Sequence, residues 1–374
     1  AKLSNADPTD NTYAVQLETG PFFEAMFEDM PEHPGLAHYI IHSYDYPALS
    51  SRAVNAARRY LEIAPDLTHS VHMSGHIFTQ EGMWEASIDA NVLSVSTARA
   101  VGAQPELLIQ TQPEEMHSLD YLAYAYLQRG QNSAAWEVVE HIANFENLNW
   151  KDAKVDFNGG AVAVRYALER RAWDEAAALP EAPGDWVAGS SYQARAAVAL
   201  RHWARAMGAA RSGHPAAARK DLVRVEQLAA EVSDHPNIWV RNTTEVLRLE
   251  AEAWIALAEG DGDGALELMR EAAEIEDQTD KSSLSPGRVL PAHEQLGDLL
   301  VELGRPDEAI AEYEISLTHA ANRFNSFYGA ARAAREAGQS DVARDYYGRL
   351  VSLTVSDTPR PEVAEAREYL AAGD

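Results

Sequence analysis

Along most of the chain apolar residues recur three and four positions apart, the spacing of one buried helix face. Alternating, strand-like runs are nearly absent. The clearest stretch lies near the end, where Leu296, Leu299 and Leu300 are followed by Gly304, then by Ala309, Ile310, Tyr313 and Leu317. Ala330, Ala331, Gly338, Ala343, Tyr347 and Leu350 repeat that order, with 34 residues from Gly304 to Gly338 and 34 from Ala309 to Ala343. A small residue lets two helices touch, a glycine makes the turn between them, and apolar residues at helical spacing fill the seam. The same punctuation recurs at Gly260 with Ala265, Gly213 with Ala218, Gly130 with Ala135 and Gly82 with Ala86. Ala53 and Ala176 fit as close-contact alanines without a well-placed turn glycine. The pattern predicts about eight helix pairs over residues 35–355.

A helix–turn–helix unit of this period resembles the tetratricopeptide repeat. The resemblance implies an all-α fold, a right-handed superhelix (α-solenoid) of about eight such pairs, with the first helix of each pair lining a concave surface. Residues 13–30 read as one amphipathic helix carrying Phe22, Phe23, Met26 and Phe27 and ending at Pro31. On this reading 1–34 holds a helix that completes a truncated upstream repeat. Residues 35–150 hold histidine-rich repeats, 151–285 longer and irregular repeats, and 286–374 regular repeats with a C-terminal helix. Residues 144–158, 180–190 and 278–291, rich in Pro, Gly, Asn, Asp or Ser, are expected to be long loops. The first residue, Ala1, is expected to follow removal of an upstream segment.

Composition narrows the function. The formal charge of -27 disfavours nucleic acid and anionic membrane surfaces, which need a basic face. It suits a protein kept in solution, a basic partner or a cation. The absence of cysteine removes disulfides and thiolate chemistry. No apolar run approaches the roughly 18 residues that a membrane span needs. The compartment stays open between cytoplasm and export to a periplasm after N-terminal processing.

Of 13 histidines, seven fall between residues 33 and 117: His33, His38, His42, His69, His72, His76 and His117. Imidazole ligates transition metals and titrates near neutral pH. His38 and His42 are four apart, as are His72 and His76, and His69 lies three before His72, so each set shares a helix face. Aligning the repeats on their glycines and alanines puts His38, His42, His72, His76, Asp120 and Tyr124 at equivalent slots on three successive first helices. Because packed helices lie about 8–10 Å apart, imidazoles from neighbours can meet on one ion. His38, His42, His72 and His76 are the candidate ligands. His69, His117 and Asp120 are further ligands or orienting groups, and Asp45 is another oxygen candidate.

The segments His33-Pro34-Gly35 with His38-Tyr39-Ile40-Ile41-His42, and His72-Met73-Ser74-Gly75-His76-Ile77-Phe78, resemble bacterial tetratricopeptide proteins with HPG…HYxxH and HMxSHIF segments. The HExxH zinc-hydrolase motif is absent, since no second histidine follows His293-Glu294 at the required spacing. Arg165, at the slot equivalent to His42, is a candidate for holding an anionic ligand. Trp84, Trp136 and Trp173, beside the turns, are expected to pack seams. Three functions fit. One is a scaffold for a protein, peptide or small ligand, with a Zn, Cu, Ni or Fe site in its N-terminal groove. Another is a metal-dependent hydrolase or oxidoreductase with Asp120 or Tyr124 as proton donor or acceptor. The last is a peptide-binding scaffold without metal.

Overall fold

The computed structural model describes residues 6–104, 107–145, 148–149, 152–181, 192–280 and 284–372. Among them are eighteen α-helices, numbered here in chain order. Helix α1 spans Ala14–Asp29. Eight pairs follow, opening with α2 (Pro34–Tyr44) and α3 (Val54–Ile63), α4 (Thr68–Gln80) and α5 (Trp84–Gly102), α6 (Leu108–Gln128) and α7 (Asn132–Ala143), and α8 (Ala153–Glu169) and α9 (Trp173–Ala177). The last four pairs run from Tyr192 to Leu353, and a final helix covers Pro361–Ala371. The chain is an all-α array of helix-turn-helix units stacked as an α-solenoid.

The turns work as the pattern implied. Gly82, Gly130, Gly213, Gly260, Gly304 and Gly338 all have positive φ, between 62° and 94°. Where the fourth pair lacks a glycine, Arg171 adopts the same left-handed conformation at φ 53°. Five residues after these turns sit Ala135, Ala176, Ala218, Ala265, Ala309 and Ala343, each fully buried where two helices touch. After Gly82 that slot is held by Ser87, not by the expected Ala86. Ser87 is fully buried and its hydroxyl pairs with Thr79 at 2.7 Å, so the small polar side chain is satisfied inside the seam.

One expected loop is shorter than its composition suggested. Within 144–158, α8 already begins at Ala153, because the Asp152 carboxylate caps it by accepting from the Lys154 backbone N–H at 2.9 Å. Of 180–190, all but residues 180 and 181 lie outside the described residues. Of 278–291, residues 281–283 lie outside them, and 284–290 form non-helical turns.

The array closes on itself. The turn at Gly82 meets residues 321–322, where Trp84 Nε1 donates to the Asn322 carbonyl at 2.8 Å. The turn at Gly130 meets the segment before the last helix: Thr358 Oγ1 donates to the Gly130 carbonyl at 2.8 Å and Val355 N to the Arg129 carbonyl at 3.1 Å. A Cβ on Gly82 would lie 2.5 Å from the Ala321 carbonyl oxygen, so glycine there serves both the turn and the closure. Side chains of the first helices therefore point into an interior. Trp84 is buried at this junction, whereas Trp136 is largely exposed and leans on Tyr166.

Candidate metal centre

Three first helices carry the histidines. Helix α4 lies between α2 and α6 and packs on both. The spacing on α4 places His69, His72 and His76 along one stripe, one turn from residue to residue. His38 and His42 approach that stripe from α2, and His117 and Tyr121 approach it from α6. The four expected ligands are not gathered around one point. His72, His76 and His117 form a buried trio, and His38, His42 and His69 form a second, more exposed one. In each trio one ring nitrogen per residue lies within 4.8 Å of the others. The division follows from the order of the stripe: its first member faces α2, and the two that follow face α6.

The inner trio is sealed, with His72 at 0%, His76 at 2% and His117 at 3% exposure. His72 Nδ1 lies 2.9 Å from Asn91 Oδ1, and Asn91 Nδ2 donates to the Ser87 carbonyl at 2.8 Å. That second bond sets the amide, so its oxygen faces His72 and can only accept. His76 Nδ1 lies 2.8 Å from Asp45 Oδ2, a carboxylate oxygen. Both rings therefore carry their proton on Nδ1, and both Nε2 atoms present lone pairs. Those two Nε2 atoms face each other at 2.9 Å. Two ring nitrogens at that distance share a proton or a metal cation, since two lone pairs alone would repel. His117 sits against both rings, with ring centres 4.3 Å from His72 and 5.4 Å from His76. Its Nδ1 is buried with no hydrogen-bond partner.

Electrostatics keep these rings in the ligating form. Desolvation first, and then the charge of His76, hold the pKa of His72 well below the usual 6.5. The same causes, with the charge of His72, depress that of His117. Neutral imidazole is the species that binds a metal. At a ligand distance of about 2.0–2.1 Å, two nitrogens of a tetrahedral site lie about 3.3 Å apart, a few tenths of an ångström from the 2.9 Å of the His72–His76 pair.

The outer trio is built on the same device. His69 Nδ1 lies 3.3 Å from Glu114 Oε2, and Lys154 also grips that carboxylate. Burial opposes ionisation of Glu114, yet the hydrogen bonds from His69 and Lys154 hold its pKa at about 2. His38 and His42 have ring centres 4.4 Å apart, and His38 and His69 5.4 Å. His38 Nδ1 is buried and unpartnered. The pKa of His42 is lowered by desolvation, then by the charges of His38 and His76.

Asp120, Tyr124 and Arg165 are not in either trio. Arg165 and Asp120 are a fully buried ion pair at 2.9 Å, and the guanidinium also donates to the Gly287 and Arg288 carbonyls. Tyr124 OH accepts from Arg323 at 3.2 Å. Arg323 in turn pairs with Glu169 at 2.9 Å and with Glu294 at 2.6 Å. Closure of the array brings these distant partners onto the inward slots, so the slots beyond α4 are occupied by the protein itself. Sequence reasoning missed Tyr121, which stacks on His76 at 4.6 Å and donates its hydroxyl to the Ser285 carbonyl at 3.1 Å. It also missed Asn91 and Ser118. Helical spacing carried a signal for Tyr121, four residues after His117, but none for Asn91 on a second helix.

A cavity of about 460 Å³ is connected to the inner trio only through hydrogen bonds, since none of its three histidines lines it. Its lining includes Gln80, Tyr124, Asp277, Asp280, Arg288 and His319. Gln80 Nε2 donates at 3.2 Å to the Asp45 carboxylate that holds His76, so one hydrogen-bonded residue separates cavity and trio. Among the described residues no helix is long and apolar enough to cross a membrane.

No protein-family model matches the chain, and no curated protein matches it. Solved structures with a similar course include a tetratricopeptide repeat protein from Parabacteroides merdae, 12% identical, covering 81% of this chain and 97% of that one with a TM-score of 0.39. A Rap protein complexed with competence and sporulation factor is 13% identical, covers 97% of this chain and 85% of that one, and has a TM-score of 0.36.

Proposed function

We propose that the chain is a helical-repeat protein that binds a transition-metal ion at His72, His76 and His117. The carrying observation is the pair of facing Nε2 atoms at 2.9 Å, each ring held through its other nitrogen by an oxygen that only accepts. Imidazole donors suit Zn, Cu, Ni or Fe. Three protein ligands leave a position for a further group, as in catalytic rather than structural sites. In this reading Asp45 and Asn91 orient the ligands. Asp120 and Tyr124 brace the frame through Arg165 and Arg323 and take no part in proton transfer.

The polar cavity linked to His76 through Gln80 and Asp45 supports a second layer to this reading: a small polar molecule, not a long peptide, as the partner. The interior that would have been an open peptide groove is crossed by the Arg165 and Arg323 ion pairs. A metal-dependent enzyme acting on such a molecule is the form of the proposal with the most support. The test is elemental analysis of protein purified without an affinity tag, and again after dialysis against Zn²⁺. The wild type retains metal, and His72→Ala with His76→Ala loses the ion of the inner trio while circular dichroism stays helical. Protein that neither carries nor takes up metal contradicts the reading.

A further inference from the structure

We infer that the outer trio holds a second metal ion, so that six histidines form a two-metal site with one sealed and one solvent-facing ion. The inference builds on the metal reading of the inner trio, but its evidence is separate. His38, His42 and His69 converge by themselves, with one ring nitrogen each within 4.8 Å of the others. His69 is oriented by Glu114 as His76 is oriented by Asp45, through Nδ1 to a carboxylate, which leaves Nε2 as the lone pair. His38, like His117, has a buried Nδ1 with no partner.

The two trios share one helix face. His69 belongs to the outer set and His72 to the inner, three residues apart on α4, which puts their Cβ atoms about 5–6 Å apart. Asp45 ties them from the other side. It follows His42 by one turn on the same stretch of chain and binds His76 at 2.8 Å. Two ions one helical turn apart in this frame would feel each other, as paired metals do in sites about 3.5–4 Å apart.

Exposure divides the roles. The inner ion would be enclosed, and the outer one would keep water and exchange ligands, because His42 and His69 are open to solvent. The outer position is thus where a small anion or a water-derived ligand would enter.

The experiment is a Cu²⁺ titration of metal-free full-length protein, read by equilibrium dialysis and electron paramagnetic resonance. Two ions per chain are expected, with a half-field signal from their magnetic coupling. His38→Ala with His69→Ala should bind one ion and lose the half-field signal. Glu114→Gln should weaken only the second ion, about 10–100-fold. One ion in the wild type, unchanged in the outer variants and lost in His72→Ala with His76→Ala, overturns the second ion and leaves the inner centre standing. Two ions without magnetic coupling overturn the pairing. No binding at all removes both.

Discussion

The inner histidine trio and the Arg323 cluster are both fully buried polar groups on the inside of the same array, and they are finished in opposite ways. Arg323 directs its guanidinium at both oxygens of Glu169 and of Glu294, at the Val289 carbonyl and at Tyr124. Charge meets charge and the donors of the fork find acceptors. His72 and His76 have their outer nitrogens equally well fixed, and their inner nitrogens converge on each other at 2.9 Å. A polar cluster that closes on itself holds a fold together. One that is braced from outside and turns its ring nitrogens toward one another is suited to sharing a cation.

The comparison is broken most severely at Arg323. Arg323→Met leaves Glu169 buried without its ion-pair partner and Glu294 with only Arg171 at 4.0 Å, and unfolding in urea should show a loss of about 3–5 kcal/mol. A loss below 1 kcal/mol would mean that the cluster is no clasp. At the trio the matching substitution is Asp45→Asn. An amide can turn its NH₂ toward His76 Nδ1, removing the constraint that keeps Nε2 bare. Metal affinity should fall about 10–100-fold, roughly 1.4–2.8 kcal/mol, with little change in the stability of the metal-free protein. Calorimetric titration with Zn²⁺ measures the first and thermal unfolding the second.

Acid sharpens the contrast further. Burial lowers the pKa of His72 and His117 in the folded chain, so between that lowered value and about 6.5 the unfolded chain binds more protons. Stability of the metal-free protein is therefore complete above about pH 6.5 and declines as the pH falls below it, by up to about 1.4 kcal/mol per pH unit for each ring. His293 behaves in the reverse sense. Burial opposes its charge, but hydrogen bonds to Asp277 and Glu312 raise its pKa to about 9. Its stabilisation is present below about 6.5 and fades as the pH rises through about 9. Unfolding free energies at several pH values, for the wild type, His72→Gln and His293→Gln, separate the two. The acid loss should shrink only in the first variant, where His117 still contributes, and the alkaline loss should shrink only in the second. The smallest effect is expected at Arg332, in the helix that begins one residue after Arg323. Its i,i+4 partner Glu336 is 3.5 Å away, and both side chains are exposed. Arg332→Ala should change stability by less than about 0.5 kcal/mol, which would place the work of Arg323 in burial, not in charge alone.

The repeats could be read along the chain because their signals are local. A glycine at positive φ and an alanine five residues later act within one helix pair, and Gly304 with Ala309 needs no distant partner. The reading slipped at Ser87, where a hydroxyl replaced the small apolar residue and Ala86 next to it looked like the match. The histidines could be read for the same local reason, as spacings of three and four on α2 and α4. Their division into two trios could not, because it depends on which neighbour each turn of α4 faces. The closure of the array was out of reach as well. It brings Arg323 to Glu169 and Tyr124 across 154 and 199 positions of chain, and that proximity leaves no periodic trace. Asp120, Tyr124 and Arg165 were singled out for chemistry at slots that do point inward. Their partners come from that closure.

We propose that His72, His76 and His117 are metal ligands through their converging ring nitrogens. X-ray absorption on protein loaded with one equivalent of Zn²⁺ tests it most directly. A first shell containing three imidazole nitrogens at about 2.0–2.1 Å, lost in His72→Ala with His76→Ala, is expected. A first shell of oxygens alone, or an imidazole shell that persists unchanged in that double variant, would contradict it.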